Sequence, residues 1–514
     1  MAEPHASDAH YCQNWRPWTR PVLDSGGVEE MVTIPERPTS RALPVLEQPR
    51  RPLVWLPLGG LLSATLVMYL PALRSPFVTD DYILLRASRD MGFGAFLKSA
   101  AVPWADPGKL ELSQHYWRPL SFLTFRALYA VFGTHPLPYH LFQFGVHCAS
   151  VVLVYFLALR LTRTRLAATV GGVVMALDPA GLESIGWISA LNSAALPAAL
   201  GAWLAFISAT REPGRFDWRW MALSLLLEAS AFGYRETVVV IIVAMLLWYV
   251  GCERAGHLTE RATWKAAAPP ALLAAGFAIW LRVAPGGGNS LESFDGNTAH
   301  VFWFYVRQVV PVTPIDAQSP LAWAQRCAGV ALLVLPIVAL ARRHWLVAAL
   351  SAGLLAALVP YSVYNLGYGP RYYYFPTAVL ALLAAAVVAE VEQSLPVARR
   401  WAAMVAPLAI GLVLIGGAVY GHGRVHRWTR DNPDVQQRWL SELQAQYASL
   451  PPQGALWAVN TPFPLTLFEG SSIPPALDFI YGNGPHPVRL IDVDHIGFAR
   501  GVMGPNDRMF QYVP

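Results

Sequence analysis

The chain has 514 residues, of which 54% are hydrophobic and only 14% charged, with 19 tryptophans and a mean hydropathy of +0.37. That is too little charge to clothe a soluble core and too much apolar surface to bury in one, so the composition excludes an ordinary soluble domain and indicates a polytopic helical membrane protein. The net charge of +5 sits in short connections and reads as membrane topology, not as a nucleic-acid surface.

In chain order, residues 1–52 are Pro-rich and polar, end in Arg50 and Arg51, and lack the early apolar run of a signal peptide. They are expected to be a disordered cytoplasmic tail. A transmembrane core is expected over 53–420, with about eleven helices at 53–70, 138–160, 165–181, 186–209, 218–234, 237–250, 266–284, 327–341, 345–364, 372–391 and 399–420. Arginines fill every second connection: Arg160, Arg163 and Arg165; Arg211, Arg215 and Arg219; Arg254, Arg261 and Lys265; Arg342 and Arg343; Arg399 and Arg400. The positive-inside bias puts these in the cytoplasm. The outer side then receives the first loop (71–137), Glu183, the Arg235-Glu236 turn, residues 285–326, the 365–371 turn and the C-terminal region. Residues 119–133 carry Arg126 mid-way and are read as an amphipathic helix on the outer surface. The segment 421–514 is less hydrophobic. Helical spacing over 433–448 and the strand-like "ALWAVN" predict a small outer α/β appendage. No 34-residue self-repeat is present in it. Cys12, Cys148, Cys252 and Cys327 have no CxxC spacing and argue against a disulfide framework or a metal site.

Six stretches could carry chemistry. "SPFVTDDYILLRAS" places Asp80 beside Asp81 where the chain leaves the first span. The pair reads as a helix cap or solvated loop, or as a general base whose like-charged neighbour raises its proton affinity. His115, Tyr116, Trp117 and Arg118 precede Pro119 as an interfacial anchor or a cavity wall. His140 and His147, seven residues apart, share roughly one helical face and suit polar contacts between helices better than a shared metal. "ALDPAGLESIGWISALNSA" brings Asp178, Glu183, Trp187 and Asn192 around an outer turn. Arg235 and Glu236 form either a salt-bridged hairpin tip or a fork for an anion at the membrane boundary. Arg371 and Tyr372 follow the chain-breaking Gly367, Gly369 and Pro370, and an arginine entering from the outer face goes against the positive-inside bias.

The order of these pieces carries a resemblance: a first span, then an outer DD, "HYWRPLSFLTF", "FGTHPLPYHLFQFGVH", "DPAGLESIGWIS", "YRET" and "GPRYYYFP". Residues 53–393 resemble the GT-C superfamily of integral-membrane glycosyltransferases, in particular the protein O-mannosyltransferase-like branch and its bacterial relatives that use polyprenyl-phosphate sugars. Arg235 stands where that pattern usually has Lys, and Ser193 where it often has Asp. The resemblance implies an inverting transfer from a polyprenyl-phosphate-linked sugar to a hydroxyl-bearing acceptor. Asp80 would be the base (Asp81 its alternate), Glu183 would orient the acceptor, and Arg235, Arg371 and Tyr372 would meet the donor phosphate. His115, Tyr116, Arg118, His140, Trp187 and Glu236 would line the substrate cavity. No cofactor is implied; a divalent cation at Asp80-Asp81 is conceivable and not favoured. The implied setting is a bacterial inner membrane with the site on the periplasmic face. The rival readings are a polysaccharide polymerase or ligase, and a lipid flippase or transporter, whose usual inverted repeats and midplane acidic cluster are not seen here apart from Glu228.

Overall fold

The computed structural model describes residues 52–78, 81–101, 117–178, 181–190, 192–211, 216–253, 261–283, 296–307, 320–363 and 370–394, and, toward the C-terminus, 433–451, 454–459, 473–482, 487–491 and 502–511, with a few isolated positions besides. The expected tail before Pro52 and the expected span 399–420 lie outside them, as do Asp80, His115 and Tyr116.

The first long helix, α1 (Pro52–Tyr69), is continuously apolar and passes into a 3₁₀ turn at Leu70–Arg74. Two short helices of the first loop follow, α2 (Asp81–Asp90) and α3 (Phe93–Ala101). Helix α4 (Pro119–Phe132) opens on a proline at its first turn and stops at Gly133, whose φ of 56° ends the helix without the steric cost a side chain would add. Arg126, in the middle of α4, lies 5.4 Å from the Phe96 ring of α3.

The main bundle begins with α5 (Pro136–Thr162), 27 residues long. It ends where Arg163 turns left-handed at φ 62° and its N–H donates to Leu159 O. Thr164 then accepts from the Ala167 N–H and starts α6 (Arg165–Leu177), a local cap that makes this hairpin sharp. Helix α6 differs from the expected span 165–181: it stops at Leu177, since Asp178 is extended (ψ 123°). Thirteen residues rise about 20 Å, short of the roughly 30 Å of a hydrocarbon core. A separate short helix, α7 (Gly181–Gly186), follows, and the expected span 186–209 divides into a 3₁₀ turn at Ile188–Ala190 and α8 (Asn192–Ala209). Then come α9 (Trp218–Tyr234), capped by Asp217, a 3₁₀ turn at Glu236–Val238 and α10 (Val239–Trp248). Helix α11 (Arg261–Val283) follows. The expected outer loop 285–326 contains a further helix, α12 (Gly296–Arg307), before α13 (Pro320–Ala341), α14 (Trp345–Val363) and α15 (Tyr374–Ser394).

Among the described residues, five stretches are long and apolar enough to cross a membrane: Leu56–Arg74, Pro136–Thr162, Ala322–Ala341, Trp345–Ser362 and Tyr374–Ser394. Four shorter apolar helices, Pro119–Phe132, Arg165–Leu177, Ala194–Ala209 and Glu236–Cys252, pack among them. Small residues set the closest approaches. A Cβ on Gly172 would meet Leu61 of α1 at 2.6 Å, and one on Gly171 the Ala381 carbonyl of α15 at 3.0 Å. With lipid on the outside, such close packing at small residues replaces the hydrophobic drive that holds soluble bundles.

The C-terminal segment folds as a three-stranded parallel sheet in the order β2-β1-β3: β1 (Leu456–Val459) lies between β2 (Val488–Ile491) and β3 (Arg508–Gln511). The central strand is buried throughout, as a parallel strand flanked on both sides should be. Helices Pro433–Gln446 and Ile473–Tyr481 accompany it. This unit is not independent of the rest. Trp439, Leu443, Leu477 and Phe510 share one hydrophobic core with Leu84 and Leu85 of α2, Phe96 of α3 and Phe122 and Phe125 of α4.

Candidate functional site

Residues far apart in sequence converge at one end of the bundle, and buried polar contacts explain why. Tyr69, at the end of α1, donates its hydroxyl to the Asp178 carbonyl after α6 at 2.6 Å. His140, near the start of α5 and fully buried, sets Nε2 2.9 Å from the Ser75 carbonyl and Nδ1 3.1 Å from that of Ile185 in α7. One imidazole thus braces the first loop against the 181–190 turn. These are the polar contacts between helices that its spacing suggests. Seven residues on, His147 meets the Tyr374 hydroxyl at 2.9 Å and packs edge-on against Tyr69. From His140 to Arg163 is 23 residues of nearly continuous helix, about 35 Å. The Arg163 and Arg165 hairpin therefore sits at the opposite end of α5 from this assembly.

Asp81 is the first residue of α2 and is fully buried. Its Oδ2 accepts the Val78 N–H at 2.9 Å and its Oδ1 the Ser189 N–H at 2.6 Å. Both carboxylate oxygens are thus engaged by backbone donors, one closing the turn into α2 and one crossing to the 188–190 turn. Because a side-chain amide would present N–H to one of those N–H groups, Asp81→Asn is expected to cost about 1–3 kcal/mol of stability. Thermal melting in detergent measures it, and an unchanged midpoint would show that these contacts do not hold the loop.

A second group is built on the α9–α10 junction. Arg235 ends α9 in an extended conformation (φ −161°, ψ 125°), and Glu236 begins the 3₁₀ turn. Glu236 accepts both arms of Arg118: Nε to Oε2 at 2.9 Å and Nη2 to Oε1 at 2.5 Å, with side chains 11% and 17% exposed. Burial by itself would raise the Glu236 carboxyl, but the charge and hydrogen bonds of Arg118, with Arg235 behind, bring it down to about 2. Arg235 is 5% exposed, and its Nε has no hydrogen-bond partner. Burial, reinforced by the nearby Arg118, lowers its guanidinium to about 10, so it stays charged at neutral pH. The rings of Tyr361 and Tyr372 stand 5.8 Å apart, within electrostatic reach of Arg235. Ser121 of α4 donates to the Tyr234 carbonyl at 2.8 Å, which fixes Arg118 beside this junction.

The two groups meet through α7, which packs against the 3₁₀ turn Pro370–Tyr373. That contact brings the backbone of the Glu183 helix to the turn carrying Arg371 and Tyr372; Trp187 is buried next to it. The structure therefore gathers Asp81, Arg118, His140, Trp187, Arg235, Glu236 and Tyr372 at one end, together with the elements bearing Glu183 and Arg371. Asp178, picked out in the sequence, belongs to the same assembly, as do Tyr361 and the Ser189 amide, which no sequence motif marks. Nothing in spacing marks the Asp178 and Ser189 contacts, because each acts across more than a hundred residues.

Chemically, this end offers a buried, still-charged guanidinium with hydrogen-bonding capacity left over, next to a bidentate ion pair and two phenols. That donor set suits a phosphate better than a neutral ligand.

Comparison with known proteins gives partial likenesses. No protein-family model matches the chain. It is 29% identical over 184 residues to protein O-mannosyl-transferase Tmtc1 of Drosophila melanogaster, covering 35% of this chain and 21% of that protein. The chain is similar to protein O-mannosyl-transferases. To Tmtc2 of the same organism it is 28% identical over 206 residues (39% and 22%), and to TMTC3 of Homo sapiens 26% identical over 179 residues (34% and 19%). The matched part thus spans about a fifth of the length of these curated relatives. Among solved structures, ArnT from Cupriavidus metallidurans aligns in its apo state over 88% of this chain and 89% of its own, at a TM-score of 0.48 and 15% identity. The same protein bound to undecaprenyl phosphate aligns at 0.46 and 14% identity, over 88% of each chain.

Proposed function

We propose that this chain is an inverting membrane glycosyltransferase that moves a sugar from a polyprenyl-phosphate donor to a hydroxyl acceptor, on the outer face of a bacterial inner membrane. The observation that carries this reading is Arg235: a buried cation whose Nε has no hydrogen-bond partner, at the same end of the bundle as Asp81. A buried charge with unused donors is costly unless a ligand completes it, and a phosphate ester at the membrane boundary is the matching anion. The partial likeness to protein O-mannosyl-transferases supports the transferase side of the reading.

In the proposed reaction Asp80 takes the proton of the acceptor hydroxyl while its oxygen attacks the anomeric carbon. The bond from that carbon to the phosphate oxygen breaks, and polyprenyl phosphate leaves with the electron pair. Arg235, with Arg371, stabilises the charge gathering on the phosphate, and Glu183 orients the acceptor. Asp81 holds the loop in place.

Binding of a synthetic short-chain polyprenyl phosphate by the purified protein, followed by native mass spectrometry, tests the anion site. Arg235→Ala is expected to weaken it about tenfold or more, the worth of one or two charge-assisted hydrogen bonds. Equal binding by the variant, or none by the wild type, would remove the basis of this proposal.

A further inference from the structure

Helix α2 is ten residues long, about 15 Å, and it is held at both ends. At the first end, Asp81 is tied to the Ser189 amide. At the other, the Ile473–Tyr481 helix of the C-terminal unit takes hold of it. Arg86 Nη1 donates to Asp478 Oδ2 at 3.0 Å, with the two side chains 24% and 10% exposed. One turn on, Arg89 reaches the Asp478 and Phe479 carbonyls at 3.4 and 3.3 Å, and its guanidinium lies 5.3 Å from the Phe479 ring. One turn back, the Tyr82 ring stands 6.1 Å from the same phenylalanine. Tyr82, Arg86 and Arg89 are spaced four and three residues apart, so a single face of α2 is given over to a partner nearly four hundred residues away. Leu84, Leu85, Trp439 and Leu477 fill the core beneath. An exposed ion pair contributes little; this one closes over a shared apolar core, where Asp478 is nearly buried.

We propose that the C-terminal α/β unit is a positioning element of the transfer site, with the Arg86–Asp478 pair fixing the tilt of α2 and hence where the Asp80-Asp81 step enters the site. This rests on the transferase reading above. A short rigid helix clamped at one end transmits any tilt of its far end to the near one, so losing the pair moves the acid step without touching donor phosphate contacts. The signature is a fall in kcat with KM for the donor retained.

The test uses the full-length protein with Arg86→Gln, Asp478→Asn, the double neutral variant, and the charge exchange Arg86→Asp with Asp478→Arg. Each is assayed for sugar transfer in proteoliposomes and for amide hydrogen exchange over residues 81–90. Each single variant is expected to lower kcat about tenfold, in line with the penalty for a small misplacement, with donor KM within about twofold. Exchange in α2 should quicken, the double neutral variant should be no worse than either single one, and the charge exchange should recover part of the rate. Faster exchange with wild-type kcat would overturn the proposal, since the helix would then be free to tilt without consequence. Unchanged exchange would overturn it too, because the pair would not be holding the helix. Sugar transfer by the wild type, measured alongside, separates this from the reading beneath it: none at all sinks the transferase assignment, while the exchange data still report on the clamp.

Discussion

Asp80→Asn is expected to leave the protein folded and able to bind a polyprenyl-phosphate sugar, and to slow transfer by about 10²–10⁴-fold, the usual contribution of a general base. Asparagine keeps the size and part of the hydrogen bonding of aspartate and removes only the basic oxygen. The neighbouring carboxylate cannot readily substitute, because Asp81 has one oxygen on the Val78 amide and the other on the Ser189 amide. Asp81→Asn should therefore show its effect first in stability, and Asp80→Asn in rate alone. Arg371→Ala differs from both: it should weaken donor binding, since a phosphate would lose a fork at the bilayer boundary. Purified variants in proteoliposomes with a synthetic donor distinguish these outcomes. Full activity in Asp80→Asn with an inactive Asp81→Asn would move the base by one residue. Normal transfer in both and in the double variant would end the mechanism proposed here.

The second large effect is expected at Glu236. Replacing it with Gln leaves the largely covered Arg118 beside the buried Arg235 without the carboxylate between them, and breaking a fully buried pair from one side costs about 3–5 kcal/mol, an upper bound for this partly exposed one. Replacing both partners, Arg118→Met with Glu236→Leu, should cost less than Glu236→Gln does, because no charge of the pair is then stranded beside Arg235. The pH dependence follows from the lowered carboxyl. Glu236 falls from 4.5 to about 2 in the folded protein, so its stabilisation is fully present above about pH 4.5 and fades as the pH drops toward 2. Melting midpoints taken down that window should fall more steeply for the wild type than for Glu236→Gln. Parallel curves would show that the Arg118–Glu236 contact is not what holds the carboxyl ionised.

The sequence by itself determined what the local chain dictates. Long uncharged runs could only be membrane helices, and they are helices at nearly the predicted bounds in α1, α5, α14 and α15, because a backbone in hydrocarbon has to satisfy its own hydrogen bonds. The predicted helix over 433–448 is found at Pro433–Gln446 and the strand of "ALWAVN" at Leu456–Val459, both legible from period alone. The same locality explains the misses. Hydropathy does not register where a helix stops inside an apolar run, so the expected spans 165–181 and 186–209 overrun the helices; the breaks at Asp178 and Gly186 are set by the Tyr69, His140 and Asp81 contacts that hold Asp178 and the 181–190 stretch against the first loop. What only the tertiary structure decided is the work of each charge. Arg118 and Glu236 lie 118 residues apart and Arg86 and Asp478 lie 392 apart, and no spacing rule links them. Sequence could name Arg235 and Asp81 as candidates, but only packing makes the first a buried cation with a donor to spare and the second a carboxylate spent on two amides. Burial fixes those roles, and burial is a property of the assembled bundle.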